Sequence, residues 1–493
     1  MNWIGEHLHS FALEKQDDIA INFSGRVILW QTLYNFVECV ADYLSFKTPE
    51  GGRVGISLPN SPMLLIIVLG AARSGRIAVI YDTEWPKSMR DSLYLKTTPN
   101  ILISSNPEDN PSILIANPDS FSCDLFTLPE FKKSQNLKFP NPLLPFYIGF
   151  TSGTTGVAKG FVRTQKSWIE SFKSLNQDIK INDEKGAIIL GSFAHSIHLY
   201  AALEALHFGI QISFLKKFKP SSILKIMLDN SSSLVYATPS QLLLLVKFST
   251  DHPEKKQLSV KTIITGGSKW NQGDTESLLN FFPNAALVEF YGTSEMSFVS
   301  ISLPNEFPPE DSVGRAIKGV SICIRDCQNK RVSQGAIGKI WVQSELIFNS
   351  YVCGTNKDFQ RDNDWITVGD FGRIDELGFL YLTGRKDRMF NVLGKNVYPE
   401  KIEKTLLSQK DIIQAAVFGL DDNLRGEKVI AVIQVKKGAS LNINELKVVC
   451  RSKLLKHEVP RVFQIIFEWP MLSSGKTDLK SLQHLAKKFC LEK

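Results

Sequence analysis

No apolar run in this chain approaches the roughly 20 residues that a membrane-spanning helix needs. The longest, residues 63–72, gives way to Arg73 and Arg76 and reads as a buried helix. Cysteine is scarce and scattered. The seven residues, at 39, 123, 323, 327, 353, 450 and 490, are odd in number and lack metal-type pairing, so reduced structural thiols are expected. Residues 1–18 carry Glu6, His7, His9, Glu14 and Lys15 instead of the apolar stretch of a secretory signal, which predicts a cytoplasmic chain. Repeats of fixed period and low-complexity tracts are also missing. The 57 Lys and Arg residues outnumber the 50 Asp and Glu by only 7, and the two signs are interleaved. That is an ordinary solvated exterior, so no nucleic acid is expected as a partner.

What is present is 493 residues, 43% hydrophobic and 22% charged, a length that predicts two or more domains. Short β-rich runs alternate with helical patterns. Residues 234–237 lead through Thr238-Pro239 into the helical pattern 241–248, residues 262–265 end at Gly266-Gly267, and residues 287–291 end in another Gly/Thr/Ser loop. Such alternation predicts an α/β fold of parallel or mixed sheets with covering helices, with ligands at the carboxyl ends of the strands. The three loops are therefore expected to face one site. From about Gly384 the texture changes: Arg385-Lys386-Asp387-Arg388 precedes a Gly-containing loop and compact alternating elements. This predicts a large N-terminal domain over residues 1–386, a boundary near Asp387 and a small α+β domain over 387–493. Residues 106–118 read as loop without chemistry.

The strongest local signal is Thr151-Ser152-Gly153-Thr154-Thr155-Gly156-Val157-Ala158-Lys159-Gly160, between the apolar run 146–150 and the helical pattern of Trp168, Phe172 and Leu175. Glycines let the backbone approach an anion, and successive N–H groups and hydroxyls can wrap its oxygens, so the segment reads as a nucleotide-phosphate loop. It is not the ordinary P-loop. The one Gly-Lys-Thr, Gly475 to Thr477, has Pro470 where the first Gly would stand.

With this loop the chain resembles the adenylate-forming superfamily of acyl-CoA synthetases, nonribosomal-peptide adenylation domains and firefly luciferases. Further motifs of that pattern follow in order: Gly266-Gly267-Ser268, Tyr291-Gly292-Thr293-Ser294-Glu295, Gly369-Asp370, Tyr381-Leu382-Thr383-Gly384-Arg385, and Pro470-Met471-Leu472-Ser473-Ser474-Gly475-Lys476-Thr477-Asp478. The resemblance implies ATP and Mg²⁺ as cofactors and a lid domain that swings about Asp387. It places Thr151 through Gly156 and Lys159 on the phosphates, and Gly266, Gly267, Ser268, Tyr291 and Gly292 at the adenine. Asp370 and Arg385 fall at the ribose, Thr293 on a phosphate and Glu295 on Mg²⁺. One acidic residue beside a polyphosphate suffices for that ion. Lys476 would bridge the reacting carboxylate and the α-phosphate, where a pre-placed ammonium offsets like-charge repulsion. Gly394, in Phe390-Asn391-Val392-Leu393-Gly394-Lys395, would leave room for a thiol arm.

Phe193-Ala194-His195-Ser196-Ile197-His198 falls at the acyl-pocket motif. Amino-acid-activating relatives usually place Asp where Ala194 stands, so an amino acid substrate is disfavoured. His195 matches the gate of acyl-CoA synthetases. His195 and His198 sit three apart but no third ligand is apparent, so zinc is not expected there. The implied reaction is formation of an acyl-AMP from a carboxylic acid, a medium or long fatty acid first, and then of acyl-CoA from coenzyme A. Loading of a carrier protein stays open. So does a nucleotide-binding protein without catalysis, because Ala158, Lys401 and Leu479 depart from the pattern. Acid chain length and oligomeric state are not set by the sequence.

Overall fold

The computed structural model describes residues 3–119, 137–151, 158–229, 232–250, 256–268, 270, 272–385, 388–393, 395–422, 426–439, 441–472 and 477–491. The chain divides into two compact units. One comprises Met1–Pro308, Gly314–Ser321 and Gln343–Asn356; the other comprises Pro309–Val313, Ile322–Val342 and Lys357–Lys493. The expected hinge residue, Asp387, lies outside the described residues. The second unit also takes in residues before it, because one of its sheets is built from strands between Ser321 and Arg385. No described helix is long and apolar enough to cross a membrane.

The first unit holds two sheets. The nine-stranded sheet runs in the order Arg315–Ala316, Ser297–Ser302, Ala286–Thr293, Thr262–Gly266, Leu234–Ala237, Gly186–Ile189, Gln211–Phe214, Ile19–Phe23, Arg26–Leu29. Its interior pairs are parallel and its edges antiparallel. Strands Gly186–Ile189 and Leu234–Ala237 are buried at every residue, as a sheet covered on both faces requires. On one face, Val235 and Ala237 pack with Ile223, Leu224, Leu242, Leu245, Leu278 and Phe281 from three helices. Tyr236, pointing the other way, meets Glu204 of the helix Ser196–His207.

The seven-stranded sheet runs Ser350–Cys353, Lys159–Thr164, Pro145–Thr151, Ile77–Ile80, Arg53–Ser57, Ile101–Ser104, Ile113–Leu114. The run expected as a buried helix is the helix Pro62–Arg73. Ser61 caps it by accepting from Leu64 N, and all twelve residues are buried, as a helix apolar on every side must be. Asn60, just before it, reaches toward the other sheet. It donates to Gly191 O at 2.8 Å and accepts from Phe193 N at 2.8 Å, fixing the segment that carries His195.

Residues 106–118 differ from expectation. They contain a 3₁₀ turn, Pro107–Asp109, and the edge strand Ile113–Leu114. Asp109 is buried and accepts from Arg90 at 2.8 Å, Ser104 at 2.6 Å and Ser57 at 3.1 Å. Burial pushes its carboxyl up, but the bonds from Ser104 and Arg90 outweigh that and hold it below its ordinary value. The segment is polar because it satisfies a buried guanidinium, not because it is a loose surface loop.

The second unit holds a six-stranded sheet, centred on Gly338–Gln343 and Asp370–Ile374, and a five-stranded one. In the latter, Ile412–Asp422 pairs antiparallel with Gly426–Val435, and alternation sorts the side chains. Val417, Val429, Ala431 and Ile433 meet helices Pro399–Leu407 and Ile443–Lys453 through Ile402, Leu406, Leu446 and Cys450. Ala416, Phe418, Leu420, Ile430 and Val432 meet the helix Leu479–Leu491 through Leu482 and Ala486.

Candidate functional site

In the first unit, strands Pro145–Thr151 and Lys159–Thr164 form an antiparallel hairpin with Thr151 opposite Lys159. Ser152, Gly153, Thr154, Thr155 and Gly156 lie between those paired ends, outside the described residues. The helical pattern of Trp168, Phe172 and Leu175 is the helix Gln165–Ile179, and the strand Lys159–Thr164 stands between it and the loop. The described ends of the loop are thus two paired strands, and the helix Gln165–Ile179 begins only after the second of them. A Cβ at Gly160 would stand 2.7 Å from Val352 and 3.0 Å from Cys353, so glycine is what lets Ser350–Cys353 close over the hairpin.

The three expected loops do share an edge. Leu234–Ala237, Thr262–Gly266 and Ala286–Thr293 are neighbouring parallel strands, with Gly266 in register with Phe290. Gly266 ends its strand, Gly267 turns at a φ of +87°, and Ser268 is exposed beyond it. The run expected to stop at Tyr291 continues through Gly292 and Thr293, with a bulge between Tyr291 and Gly292. This bulge re-aims the end of the strand. Thr293 Oγ1 then accepts from Met296 N at 3.1 Å, closing the turn that presents Glu295.

Glu295 is buried. Its Oε1 accepts from the Tyr351 hydroxyl at 2.5 Å, and its backbone oxygen accepts from Phe348 N at 2.7 Å. Arg163, also buried, donates to Ser294 O at 3.1 Å and to Leu346 O at 2.5 Å; burial pushes its pKa down to about 10, leaving it cationic at neutral pH. Burial, and then the Glu295 charge, pushes the Tyr351 phenol up, so it stays a donor. Among the described residues, Glu295 Oε2 has no hydrogen-bond donor. A framed carboxylate with one oxygen held and one open fits a Mg²⁺ ligand that leaves the remaining positions to water and phosphate. Sequence reasoning missed Tyr351 and Arg163. Neither sits in a Gly-rich motif; both lie on the strands of the hairpin and its cover.

His195 precedes the helix Ser196–His207, its Nε2 3.9 Å from Asp82 Oδ2, with a fifth of its side chain exposed. His198, one turn on, is fully buried, and burial followed by His195 pushes its pKa down to about 3, so it is neutral.

In the second unit, Asp370 opens the strand Asp370–Ile374 and lies opposite Arg385 of Leu380–Arg385. The two residues expected at the ribose are thus a cross-strand pair. Gly369, before it, has a φ of +92°, and a Cβ there would collide with Asp358. Lys476 and Gly394 lie outside the described residues, but their flanks do not. Met471 bridges to Thr477, whose Oγ1 accepts from Trp469 Nε1 at 3.0 Å, so the Lys476 segment is closed at its base. Val392 pairs with Lys395 across the turn that contains Gly394. Beside this turn is a cavity of about 230 Å³, lined by Val392, Leu393, Val429 and Val459 and by Lys395, Lys428, Lys456, His457 and Arg461. Among the described residues none of its four Lys and Arg side chains has an ion-pair partner, so the cavity combines an apolar floor with unneutralised positive charge.

Family models locate this arrangement among known proteins. One described as AMP-binding enzyme matches residues 8–352, and one described as AMP-binding enzyme C-terminal domain matches residues 401–476. The chain is 33% identical over 468 residues to YhfT of Bacillus subtilis, an uncharacterized acyl-CoA ligase, covering 93% of each. It is 27% identical over 481 residues to VraA of Staphylococcus aureus strain COL, whose name marks it as a candidate long-chain fatty acid–CoA ligase, covering 97% of each. The fold is that of o-succinylbenzoate coenzyme A synthetase of Bacillus subtilis, solved with ATP and magnesium ion. That likeness has a TM-score of 0.83 at 22% identity, covering 97% of this chain and 98% of the other.

Proposed function

The chain belongs to the AMP-binding enzyme family, and from that premise we propose that it is an ATP-dependent acyl-CoA synthetase. A carboxylate oxygen attacks the α-phosphorus of ATP, and the bond to pyrophosphate breaks. The sulfur of coenzyme A then attacks the acyl carbonyl of the acyl-AMP, the thiol proton is lost, and AMP leaves. The observation that carries this reading is the buried Glu295 carboxylate, held by Tyr351 on the strand that covers the phosphate hairpin.

The roles follow the chemistry of each group. Thr151, Ser152, Gly153, Thr154, Thr155, Gly156 and Lys159 bind the phosphates, with Thr293 as a further hydroxyl ligand. Glu295 holds Mg²⁺, which when bound offsets phosphate charge. Gly266, Gly267, Ser268, Tyr291 and Gly292 flank the adenine, and Asp370 takes the ribose hydroxyls, since a carboxylate can accept from both at once; Arg385 acts on the same sugar. Lys476 neutralises the meeting of carboxylate and phosphate. Gly394 leaves the thiol arm its path, Asp387 is the hinge, and His195 borders the acyl group.

Coenzyme A is favoured over a carrier protein by the cavity beside the Gly394 turn, whose cations suit a phosphorylated nucleotide and whose valines suit a flat base. A fatty acid is favoured by Ala194, which offers no partner to an α-ammonium, and by the name of the relative VraA. Two departures that left a non-catalytic reading open have local causes. Lys401 pairs with Glu458 at 2.7 Å, and Leu479 packs on the apolar face of the five-stranded sheet. A reaction consuming ATP and coenzyme A belongs in the compartment that holds both, the cytoplasm.

The test is exchange of labelled pyrophosphate into ATP across a panel of carboxylic acids, followed by thioester analysis with coenzyme A or an acyl carrier protein. Exchange with a fatty acid and acyl-CoA as product are expected. No exchange with any acid would sink the enzyme.

A further inference from the structure

Far from these motifs in sequence, the N-terminal segment brings three donor groups together. One ligand atom each from Glu6, His7 and His207 lie within 4.8 Å of one another. We propose that these residues form a binding site for a single divalent transition-metal ion of the zinc class, which pins the N-terminal segment to the end of the helix Ser196–His207.

Four observations carry it. His207 Nδ1 lies 3.0 Å from Ile4 O, and a carbonyl can only accept, so Nδ1 bears the proton and Nε2 keeps its lone pair. A backbone carbonyl orienting the far nitrogen in this way is the usual support of a metal-ligating histidine. His207 is itself buried, so its ring is held in place beside the segment. His207 is the last residue of its helix, at the end that carries the negative pole. Ile4 itself is fixed, buried and donating to Gln165 Oε1 at 2.9 Å, so the carbonyl that orients His207 does not drift.

Two imidazoles and a carboxylate are the donor set of an open three-ligand zinc site, with water in the fourth position; Mg²⁺ prefers oxygen throughout. Tetrahedral bonds of about 2 Å demand donor separations nearer 3.3 Å, so the widest gap must close by up to about 1.5 Å. His7 is half exposed and its Nε2 is already 3.6 Å from Glu6 Oε1, so His7 is the ligand with room to adjust. Lys173, whose charge opposes a cation here, is paired with Glu170 at 2.9 Å. The competing account is ring packing alone, since His7 and His207 meet edge-on at 5.1 Å.

The chelator-treated full chain is titrated with Zn²⁺ in calorimetry and with Co²⁺ in visible absorption, beside His7→Ala, at an exposed position, and Glu6→Gln, which keeps the side chain's size at a mostly buried one. One saturable Zn²⁺ site, a tetrahedral-type Co²⁺ spectrum, loss of both in His7→Ala and about tenfold weaker binding in Glu6→Gln are expected. Zn²⁺ should also raise the melting temperature of the parent chain and leave that of His7→Ala unchanged. Absence of saturable binding, or full affinity in His7→Ala, overturns the site and leaves ring packing as the whole explanation.

Discussion

The hydroxyl of Tyr351 donates to the carboxylate of Glu295 across 2.5 Å, linking the turn after Ala286–Thr293 to the strand that pairs with the hairpin of Pro145–Thr151 and Lys159–Thr164. Removing only that hydroxyl isolates its effect. A hydrogen bond to a charged group contributes about 1.5–3 kcal/mol, so Tyr351→Phe should weaken pyrophosphate exchange by roughly 10- to 100-fold. Raising Mg²⁺ should restore part of the loss, while the melting temperature stays within a few degrees. A Mg²⁺ dependence identical to the parent's would mean that Tyr351 does not position the metal ligand.

How much of this could be read from residues alone depended on the kind of signal. Strands Leu234–Ala237 and Thr262–Gly266 were legible because buried parallel strands are short apolar runs bounded by Gly and Pro. The strand leading to Glu295 was legible for the same reason, though it runs on through Gly292 and Thr293. Tyr351 and Arg163 were not, since each acts through a partner more than fifty residues away. Asp109 was misread as loop for the same reason: its polarity answers Arg90, nineteen positions earlier. The strand Lys159–Thr164 was hidden because the strong helical pattern after it drew the eye past six residues of pairing.

Glu204 supplies a pH prediction. It is fully buried, accepts from Tyr200 at 3.2 Å and from Tyr236, and burial pushes its carboxyl from 4.5 up to about 8. Between those values the folded chain holds a proton that the unfolded chain has lost, so this residue's contribution to stability falls as pH rises through that window. The penalty is absent below about pH 4.5 and complete above about pH 8. At about 1.4 kcal/mol per unit it amounts to a few kcal/mol. Glu204→Gln keeps an acceptor for one tyrosine and removes the titration. Its urea midpoint, set against the parent's at pH 5.5 and pH 8.5, should gain relative stability at the higher pH. A difference that does not change with pH would show that Glu204 is already ionised in the fold.

If the basic cavity takes coenzyme A as proposed, its recognition is separable from catalysis. Lys428→Glu and Lys456→Glu reverse charge at its rim, where each lost phosphate contact is worth roughly 1 kcal/mol or more. The KM for coenzyme A should rise about 5- to 50-fold in the double variant while pyrophosphate exchange is unaltered. Pantetheine, which carries the thiol arm without the nucleotide, should show no change between parent and variant. An equal rise for both thiols would place the effect on the thiol path, and no rise for either would remove the cavity from the reaction.

The roles proposed for Lys476 and Gly394 divide the two half-reactions between them, which makes the pair a stricter test than either alone. An ammonium that offsets repulsion between carboxylate and phosphate acts only while acyl-AMP forms. Lys476→Ala should therefore reduce that step by on the order of 10²- to 10³-fold, as loss of one charge-stabilising group typically does, and leave thiolysis of supplied acyl-AMP near the parent rate. Gly394→Leu would put a side chain on the proposed thiol path and should do the reverse, preserving pyrophosphate exchange and blocking thioester formation. Rapid-quench measurement of each step, started from acid plus ATP or from acyl-AMP plus coenzyme A, distinguishes the patterns. Loss of both steps in Lys476→Ala would move this lysine from the first reaction to the folding of the lid. Loss of both in Gly394→Leu would mean that the turn shapes the adenylation site as well as the thiol path.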